Sequence, residues 1–389
     1  MRQYPDLYRL MFVLVLLFWL LLFGVFFTYV GYALLLLAFG AGRRSRNAPP
    51  VQWPSLTVVI AAWNEGPLLA AKIRNTLEQR YPGALQVLVV ADGSTDQTAE
   101  VLSAFPSVEL LIDPQRRGKT GALNRAMRHV STPLVIFSDA NTLLGPAALF
   151  HLVLPFGDAR VGAVAGEKRV RQESGMGFAE GGYWHYESYL KRLDAGFYSA
   201  IGAAGELFAL RTTLFRPLPE DTILDDLALS LSVGLQDYRI AYEPAAYALE
   251  APSASLHDER KRKVRIAAGA FQFLERLDWA ALLRRPRLAF QFIVRRWMRW
   301  VFCPLALPLL LLLNGILAFA GAGPLYAILL VLQLCAYFLA LTGALLLRSG
   351  RAFFPVTFPF YFLFMNYCML AGWRRHRKGQ QSVLWEKAR

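Results

Sequence analysis

Charge is what this chain has least of. Charged residues make up 18% of its 389 residues against 55% hydrophobic ones, and mean hydropathy is +0.34. That balance excludes an ordinary soluble protein. Three stretches carry no charge at all, Leu10 to Phe39, Val301 to Leu347 and Ala352 to Trp373. Each approaches or exceeds the roughly 20 residues that cross a bilayer. Cysteine is scarce too. Cys303, Cys335 and Cys368 all fall inside apolar runs, which excludes a disulfide framework or a zinc site. No G-x-G-x-x-G follows the first strand-like run, and Gly118-Lys119-Thr120 is only a fragment of a phosphate loop. A dinucleotide fold and a phosphate-loop NTPase are therefore disfavoured.

Acidic residues run out near the end. From Leu288 onward Glu386 stands alone against Arg295, Arg296, Arg299, Arg374, Arg375, Arg377 and Lys378, within a net charge of +14. These cations flank apolar runs, so the expected partners are membrane lipids at the cytoplasmic face, and nucleic acid is not expected. Leu10 to Phe39 far exceeds the ~7–15 apolar residues of a signal peptide, and Arg43, Arg44 and Arg46 follow it. It reads as a retained anchor. As one helix it is about 45 Å long against a ~30 Å bilayer core, so it is expected to tilt, with a tight hairpin as the alternative. Three C-terminal crossings would place Arg374 to Lys378 outside, so the last segment is either re-entrant or an exception to the positive-inside rule.

The expected organisation is an anchor over 1–42, a linker over 43–54, a soluble domain over 55–279, an interfacial amphipathic segment over 280–300, transmembrane segments over 301–373 and a basic tail over 374–389. Within the soluble part, Leu56 to Ile60, Leu85 to Val90, Val108 to Leu111 and Leu134 to Phe137 are apolar runs of the kind that form buried strands. Leu68 to Gln79, Gln97 to Ala104 and Thr120 to Val130 have helical spacing between them. The alternation predicts an α/β domain with a largely parallel sheet.

Ligands of such sheets bind beyond the carboxyl ends of the strands, and three of these ends are polar. They are Asn64-Glu65-Gly66, Asp92-Gly93-Ser94-Thr95-Asp96 and Asp139-Ala140-Asn141. Asp139 and Asn141 have the oxygen chemistry of a hard divalent cation site. Helix capping is the alternative for Asp96, Asp139 and Asn141. Further on, Asp225-Asp226 opens an apolar helical stretch, where two acids also favour a helix dipole.

In order, these segments resemble the membrane-bound family 2 glycosyltransferases of GT-A fold, over Ser55 to about Gly269. Val58 to Gly66 is similar to the family's first strand and N-E turn. Val87 to Glu100 resembles its V-D-D-G-S-T-D segment, with Ala91 in place of the first Asp. Gly118 to Ala126 resembles G-K-x-x-A-L-N, and Asp139-Ala140-Asn141 stands at the D-x-D position. Gly202 to Arg211 resembles the acceptor-side glycine-rich turn, and Thr222 to Leu227 the T-E-D segment.

The resemblance implies a nucleotide-diphospho-sugar transferase domain flanked by N- and C-terminal transmembrane helices. Asn64, Glu65 and Asp92 would contact the nucleoside, Lys119 the nucleotide, and Arg265 with Arg262 the diphosphate. Asp139 and Asn141 would hold Mg2+ or Mn2+. Asp226, beside Asp225, would be the base, with Gly205, Glu206 and Trp184 on the acceptor side. The departure is at Arg262 to Ile266, where processive synthases have Q-x-x-R-W. Arg262 replaces Gln and Ile266 replaces Trp, while Arg265 is retained. For the tyrosines and Trp184 before the glycine turn, helix packing is the stronger expectation.

The expected activity is inverting, metal-dependent transfer of a hexose from a UDP-linked nucleotide sugar to a lipid-linked or saccharide acceptor. The enzyme would be multi-pass in the inner (plasma) membrane, with its catalytic domain cytoplasmic. A processive polysaccharide synthase and a non-catalytic nucleotide-sugar-binding export or scaffold protein are the alternatives.

Overall fold

The computed structural model describes residues 5–40, 49–170, 175–251, 255–349 and 353–380. Arg43, Arg44, Arg46, Arg351 and the tail from residue 381, Glu386 included, lie outside the described residues.

The chain opens with α1 (Pro5–Phe26), which passes through one π-helical turn (Phe27–Gly31) into α2 (Tyr32–Ala38) as a single continuous helix. The soluble domain follows as β1 (Leu56–Ala62), α3 (Gly66–Leu77), β2 (Leu85–Asp92), α4 (Thr98–Ser103), β3 (Glu109–Asp113), α5 (Lys119–Ala126), β4 (Leu134–Asp139), β5 (Leu143–Leu144) and α6 (Ala148–Val153). It continues with β6 (Val161–Val170), α7 (Gly175–Phe197), β7 (Phe208–Arg211), α8 (Asp225–Gly234), β8 (Arg239–Glu250), α9 (Leu256–Arg276) and α10 (Trp279–Leu283). Then α11 (Pro286–Phe292) runs through a π-helical stretch (Ile293–Phe302) into α12 (Cys303–Phe319), and α13 (Pro324–Arg348) and α14 (Phe354–Arg377) close the chain.

The sheet order is β3-β2-β1-β4-β7-β6-β8-β5. The first four strands are parallel, as expected. The second half is mixed: β7 is antiparallel to β4 and β6, β6 is parallel to β8, and β5 is antiparallel to β8. On β1 the side chains alternate between two cores. Leu56, Val58 and Ile60 face one with Leu69 and Ile73 of α3, and Val59 faces the other with Ala122 and Leu123 of α5. Both faces of β1 are covered, which is why its sequence is apolar without a break. Each buried Val or Ile stabilises the fold by about 1.5–3 kcal/mol.

Among the described residues three helices are long and apolar enough to cross a membrane, Tyr8–Ala38, Pro286–Phe319 and Pro324–Arg348. The N-terminal one is a single helix, and the mismatch in its length has a structural answer. Tyr32 and Leu36 are fully buried against Leu190 and Leu193 of α7, so its last turns pack on the soluble domain. The π-turn frees the Tyr29 carbonyl, which accepts a hydrogen bond from the Tyr186 hydroxyl at 2.5 Å.

The last apolar segment is laid along α9. Tyr361 donates to Glu259 at 2.8 Å, and His376 meets Glu275 at 2.9 Å. Between them Gly372 sits so tightly that an added Cβ would come within 2.4 Å of Ala267. The basic end of α14 is therefore on the same side as the soluble domain.

The arginines at 295 and 299 need a correction. They do not face headgroups. Arg295 pairs with Asp194 at 2.7 Å and Glu187 at 3.1 Å, Arg299 pairs with Glu187, and all four side chains are at least nine-tenths buried. Both are shielded from bulk water, and α7 supplies their carboxylate partners.

Candidate active site

The register levels Ala61 with Asp139 and Ala62 with Ala91. The ends of β1, β2 and β4 thus share one edge, as the polar clusters required. After β1 the chain turns at Asn64, whose φ of +53° lies in the left-handed region that Asn tolerates. The Asn64 carboxamide oxygen accepts from the Thr95 amide at 2.8 Å, and its own backbone N–H donates to Ser94 at 3.1 Å. Asp96 accepts from the Gly66 amide at 3.0 Å and from the Thr98 amide at 3.1 Å, so it braces the start of α4 and ties the two loops together. Glu65 is half-buried at the start of α3, where its carbonyl accepts from Leu68 and Leu69. Arg116 stacks on Trp63 at 3.3 Å beside this wall.

Asp92 is placed differently from the expectation. It is fully buried behind the rim, and its two oxygens accept from the backbone amides of Arg117 at 2.9 Å and Gly118 at 2.7 Å. Burial raises its pKa despite these bonds. Asp92 holds the loop that launches α5, with Gly118 at φ +86° making the turn. In this conformation both of its oxygens are committed to that loop.

That loop delivers Lys119 to the centre of the site. Its ammonium lies 2.7 Å from Asp139 at the end of β4 and 3.4 Å from Asp225 at the start of α8. Burial alone would lower the Lys119 pKa, but Asp139 and Asp225 outweigh it and hold the group charged. Asp226 stands next to them, with one oxygen accepting from the Leu227 amide at 2.7 Å. Burial first, then the negative charge of Asp225, push its pKa up to about 7. Asp139 is raised as well, by burial and in spite of Lys119. Gly205 leaves the remaining side open: a Cβ there would lie 3.1 Å from the Lys119 ammonium and 3.5 Å from the Asp226 carboxylate.

The acid pair is held from two sides. Thr120 donates to the Thr222 carbonyl at 2.9 Å, and Asn124 exchanges hydrogen bonds with Leu218 at 2.7 and 3.2 Å. From α9, Gln272 accepts from the Ile223 amide at 3.1 Å and donates to the Asp221 carbonyl at 2.9 Å. Arg265, also on α9, interacts with Asp225 and Asp139 through space, and burial lowers its pKa. Arg262 points elsewhere. It pairs with Glu259 at 3.0 Å and lies 3.8 Å from Glu250, so in this conformation it is tied to structural carboxylates rather than aimed at the acid cluster.

Of the residues expected on the acceptor side, Glu206 pairs with buried Lys168 at 2.6 Å, which outweighs the effect of burial and holds the carboxyl well below the usual range. Trp184 sits 5.0 Å from Lys168, 5.5 Å from Lys263 and 5.7 Å from Lys191. It is half-buried among these ammonium groups. Asn141 is exposed on the turn after β4.

One contributor was missed. Lys72 of α3 is fully buried and donates to Ser138 at 2.6 Å, with Thr142 at 3.4 Å, while Ser138 donates to the Glu206 carbonyl at 2.9 Å. It ties both flanks of Asp139 to the glycine turn, and burial lowers its pKa to about 7. The signal was present: a lysine in register with Leu69, Ile73 and Thr76 on the buried face of a helix.

Among the described residues no set of three His, Cys, Asp or Glu side chains forms a metal cage. A Mg2+ or Mn2+ ion at a phosphate-transfer site does not need one, because substrate phosphates and water complete its shell around one or two carboxylates. Asp139 is 29% exposed, and the Asp225 Oδ2 atom is buried without a hydrogen bond. Three carboxylates around one ammonium leave a surplus of negative charge, and the residues fit a cation shared with substrate.

An acid-lined rim on a parallel half-sheet, joined to a mixed half, is the GT-A build of a glycosyltransferase. Residues 54–269 match the model described as glycosyltransferase like family 2, and the chain belongs to that family. That places it in the glycosyltransferase class of enzymes. Among curated relatives it is 28% identical over 246 residues to a poly-beta-1,6-N-acetyl-D-glucosamine synthase of Staphylococcus epidermidis, covering 59% of this chain and 58% of the relative. A synthase of the same name from Staphylococcus aureus (strain COL) matches at 28% over 242 residues, 60% of this chain and 58% of the relative. The chain thus spans a little over half the length of these relatives. Among solved structures, a mannosyltransferase from Pyrobaculum calidifontis in complex with GDP-Man and Mn2+ superposes with a TM-score of 0.71 at 24% identity, over 95% of this chain and 100% of that one. That likeness is one of fold, and it extends through the helices at both ends.

Proposed function

We propose that this enzyme is an inverting, metal-dependent glycosyltransferase of the inner membrane. It moves a hexose from a nucleotide-diphosphate donor, UDP-linked, to a lipid-linked or saccharide acceptor in envelope or exopolysaccharide synthesis. One observation carries the proposal. Lys119, Asp139, Asp225 and Asp226 come from three separate stretches and meet at one point beside the space left by Gly205.

Asp139, with Asn141 on the adjoining turn, would hold Mg2+ or Mn2+, which when bound neutralises charge developing on the departing diphosphate. Lys119 contributes a fixed positive charge to the same leaving group, and Arg265 a second from α9. Asp226 accepts the proton of the acceptor hydroxyl as that oxygen attacks the anomeric carbon. A carboxylate raised to about 7 is well matched to this task near neutral pH. Attack from the face opposite the leaving group inverts the configuration. Asn64, Glu65 and Trp63 line the β1–β2 wall where the nucleoside would lie. With the soluble domain cytoplasmic, the basic end of α14 is cytoplasmic too, which agrees with the positive-inside rule.

The test is sugar transfer and nucleoside diphosphate release by purified protein across UDP- and GDP-linked donors, with and without Mg2+ or Mn2+. Transfer should need the ion and be lost in Asp226→Asn. Chelator-resistant transfer, or an Asp226→Asn variant as fast as the parent, would overturn the assignment. The names of the curated relatives support a second reading, processive polymer synthesis. Ile266 in place of the Trp that processive synthases carry counts against it, and long polymer made by the purified chain alone would establish it.

A further inference from the structure

A basic cleft opens between α9 and the end of α14. Arg260, Arg374, Arg375 and Lys378 line about 440 Å3 together with the apolar Val264 and Ala371, within the roughly 300–1,000 Å3 of small-molecule sites. Arg260, Arg374 and Lys378 are exposed and Arg375 is half-buried, so a ligand can reach them. The close approach of Gly372 to Ala267 sets the two helices together at this point.

Among the described residues none of these four cations has a carboxylate partner, because the neighbouring acids are engaged elsewhere. Glu259 pairs with Arg262 at 3.0 Å and Lys263 at 3.4 Å, and Glu275 meets His376 at 2.9 Å. Arg375 donates to the Gln380 carbonyl at 3.2 Å, a neutral acceptor. A cleft lined by one sign of charge focuses its field and gathers counter-ions, and guanidinium forks match the acceptor-only oxygens of phosphate.

The surroundings narrow the source of that phosphate. Tyr367, 5.7 Å from the Arg260 guanidinium, and Trp373, next to Arg374, are 48% and 43% exposed. Exposed amphipathic aromatics beside an apolar segment belong at the level of lipid headgroups, so the ligand is membrane-borne. Four unpaired cations exceed the single charge of a phosphodiester headgroup and suit a diphosphate. Arg265 follows Val264 on α9 and feels the positive charge of Arg375 as well as the negative charges of Asp225 and Asp139. It joins the cleft to the transfer centre.

We propose that this cleft holds the diphosphate of a lipid-linked saccharide acceptor. Arg260, Arg374, Arg375 and Lys378 donate to its oxygens, and its saccharide extends past Arg265 toward Asp226. This rests on the transfer reading above and narrows the acceptor to a lipid-borne one.

The full chain, delipidated in neutral detergent, is titrated with farnesyl diphosphate, phosphatidylglycerol or inorganic diphosphate and followed by native mass spectrometry. Divalent ions are omitted, since the acid cluster then repels a diphosphate. Farnesyl diphosphate should bind at least about tenfold more tightly than either other probe, and Arg260→Gln or Lys378→Gln should each weaken it about tenfold with an unchanged melting temperature. In sugar transfer to a membrane lipid extract, Arg260→Gln should raise the extract needed for half-maximal rate about tenfold and leave the donor KM unchanged. Equal binding of phosphatidylglycerol, or an unchanged dependence on extract, would make the cleft a lipid anchor and overturn the proposal. Equal binding of inorganic diphosphate would overturn it as well. Transfer that proceeds while both variants bind like the parent would sink this proposal alone, whereas tight binding with no transfer from any donor would sink the transfer reading and this subsite with it.

Discussion

Replacing Asp225 by asparagine gives the sharpest check on the catalytic centre, because the shape of the side chain is kept and one negative charge is removed. In the parent, the Asp226 carboxyl is raised from 3.8 to about 7, with burial the largest cause and Asp225 the second. The whole displacement is thus about 3 pH units, and removing one neighbouring like charge is expected to lower the value by on the order of 1 unit, equivalent to ~1.4 kcal/mol. A base works only when deprotonated, so the transfer rate falls as pH drops below its pKa, tenfold for each unit. The parent's acid limb is expected near pH 7 and that of Asp225→Asn about 1 unit lower. Lys119→Met should move the limb the other way, since Lys119 lowers the Asp226 pKa. The assay is the initial rate of nucleoside diphosphate release at saturating donor and acceptor, from about pH 5 to about pH 9. Each profile is scaled to its own plateau, so a loss of absolute rate does not obscure the shift. A limb that stays where the parent's lies, or rises in Asp225→Asn, would refute Asp226 as the titrating base.

Other outcomes follow from the same geometry. The folded-state pKa of Asp226 exceeds the unfolded value, so between about pH 4 and pH 7 the unfolded chain gives up its proton first and stability falls as pH rises. Asp226→Asn should therefore melt higher than the parent at about pH 8 and the same at about pH 4, by on the order of 1–2 kcal/mol after allowing for partial solvent screening; equal melting at both would show that the carboxylate is not strained. Lys72→Met should fold but release the strand end that carries Asp139, raising the concentration of divalent ion needed for half-maximal transfer about tenfold, roughly 1.4 kcal/mol; an unchanged ion titration would remove Lys72 from the site's support. Glu187→Gln leaves Arg295 and Arg299 short of a counter-charge in a buried cluster. A broken buried pair typically destabilises by 3–5 kcal/mol, so thermal unfolding in detergent should occur well below the parent's, and a parent-like transition would contradict the packing.

Some of this was legible because it depends on short range. Thr57-Val58-Val59-Ile60 is β-branched and apolar without interruption, so it reads as a strand covered on both faces, and it is one. Asn64, Asp92 and Asp139 each close such a run, and strand parity alone puts them at one edge. Lys72 was missed because a lysine in a helix is ordinarily solvated, and only its place among buried side chains shows that it supports the site. Arg295 and Arg299 were read as headgroup contacts for the same reason: adjacency to an apolar run does not say which way a guanidinium points.

The sequence by itself determined the class of fold, the family and the rim on which the chemistry sits, since strand runs and polar strand ends are written in consecutive residues. Tertiary structure decided what those residues do to one another. It turned Asp92 inward to hold the Lys119 loop, set Lys119 between Asp139 and Asp225, and laid α14 along α9 on the side of the soluble domain. Each of these depends on burial and on distances between groups far apart in the chain, and electrostatic energies in a low-dielectric interior are governed by those two quantities.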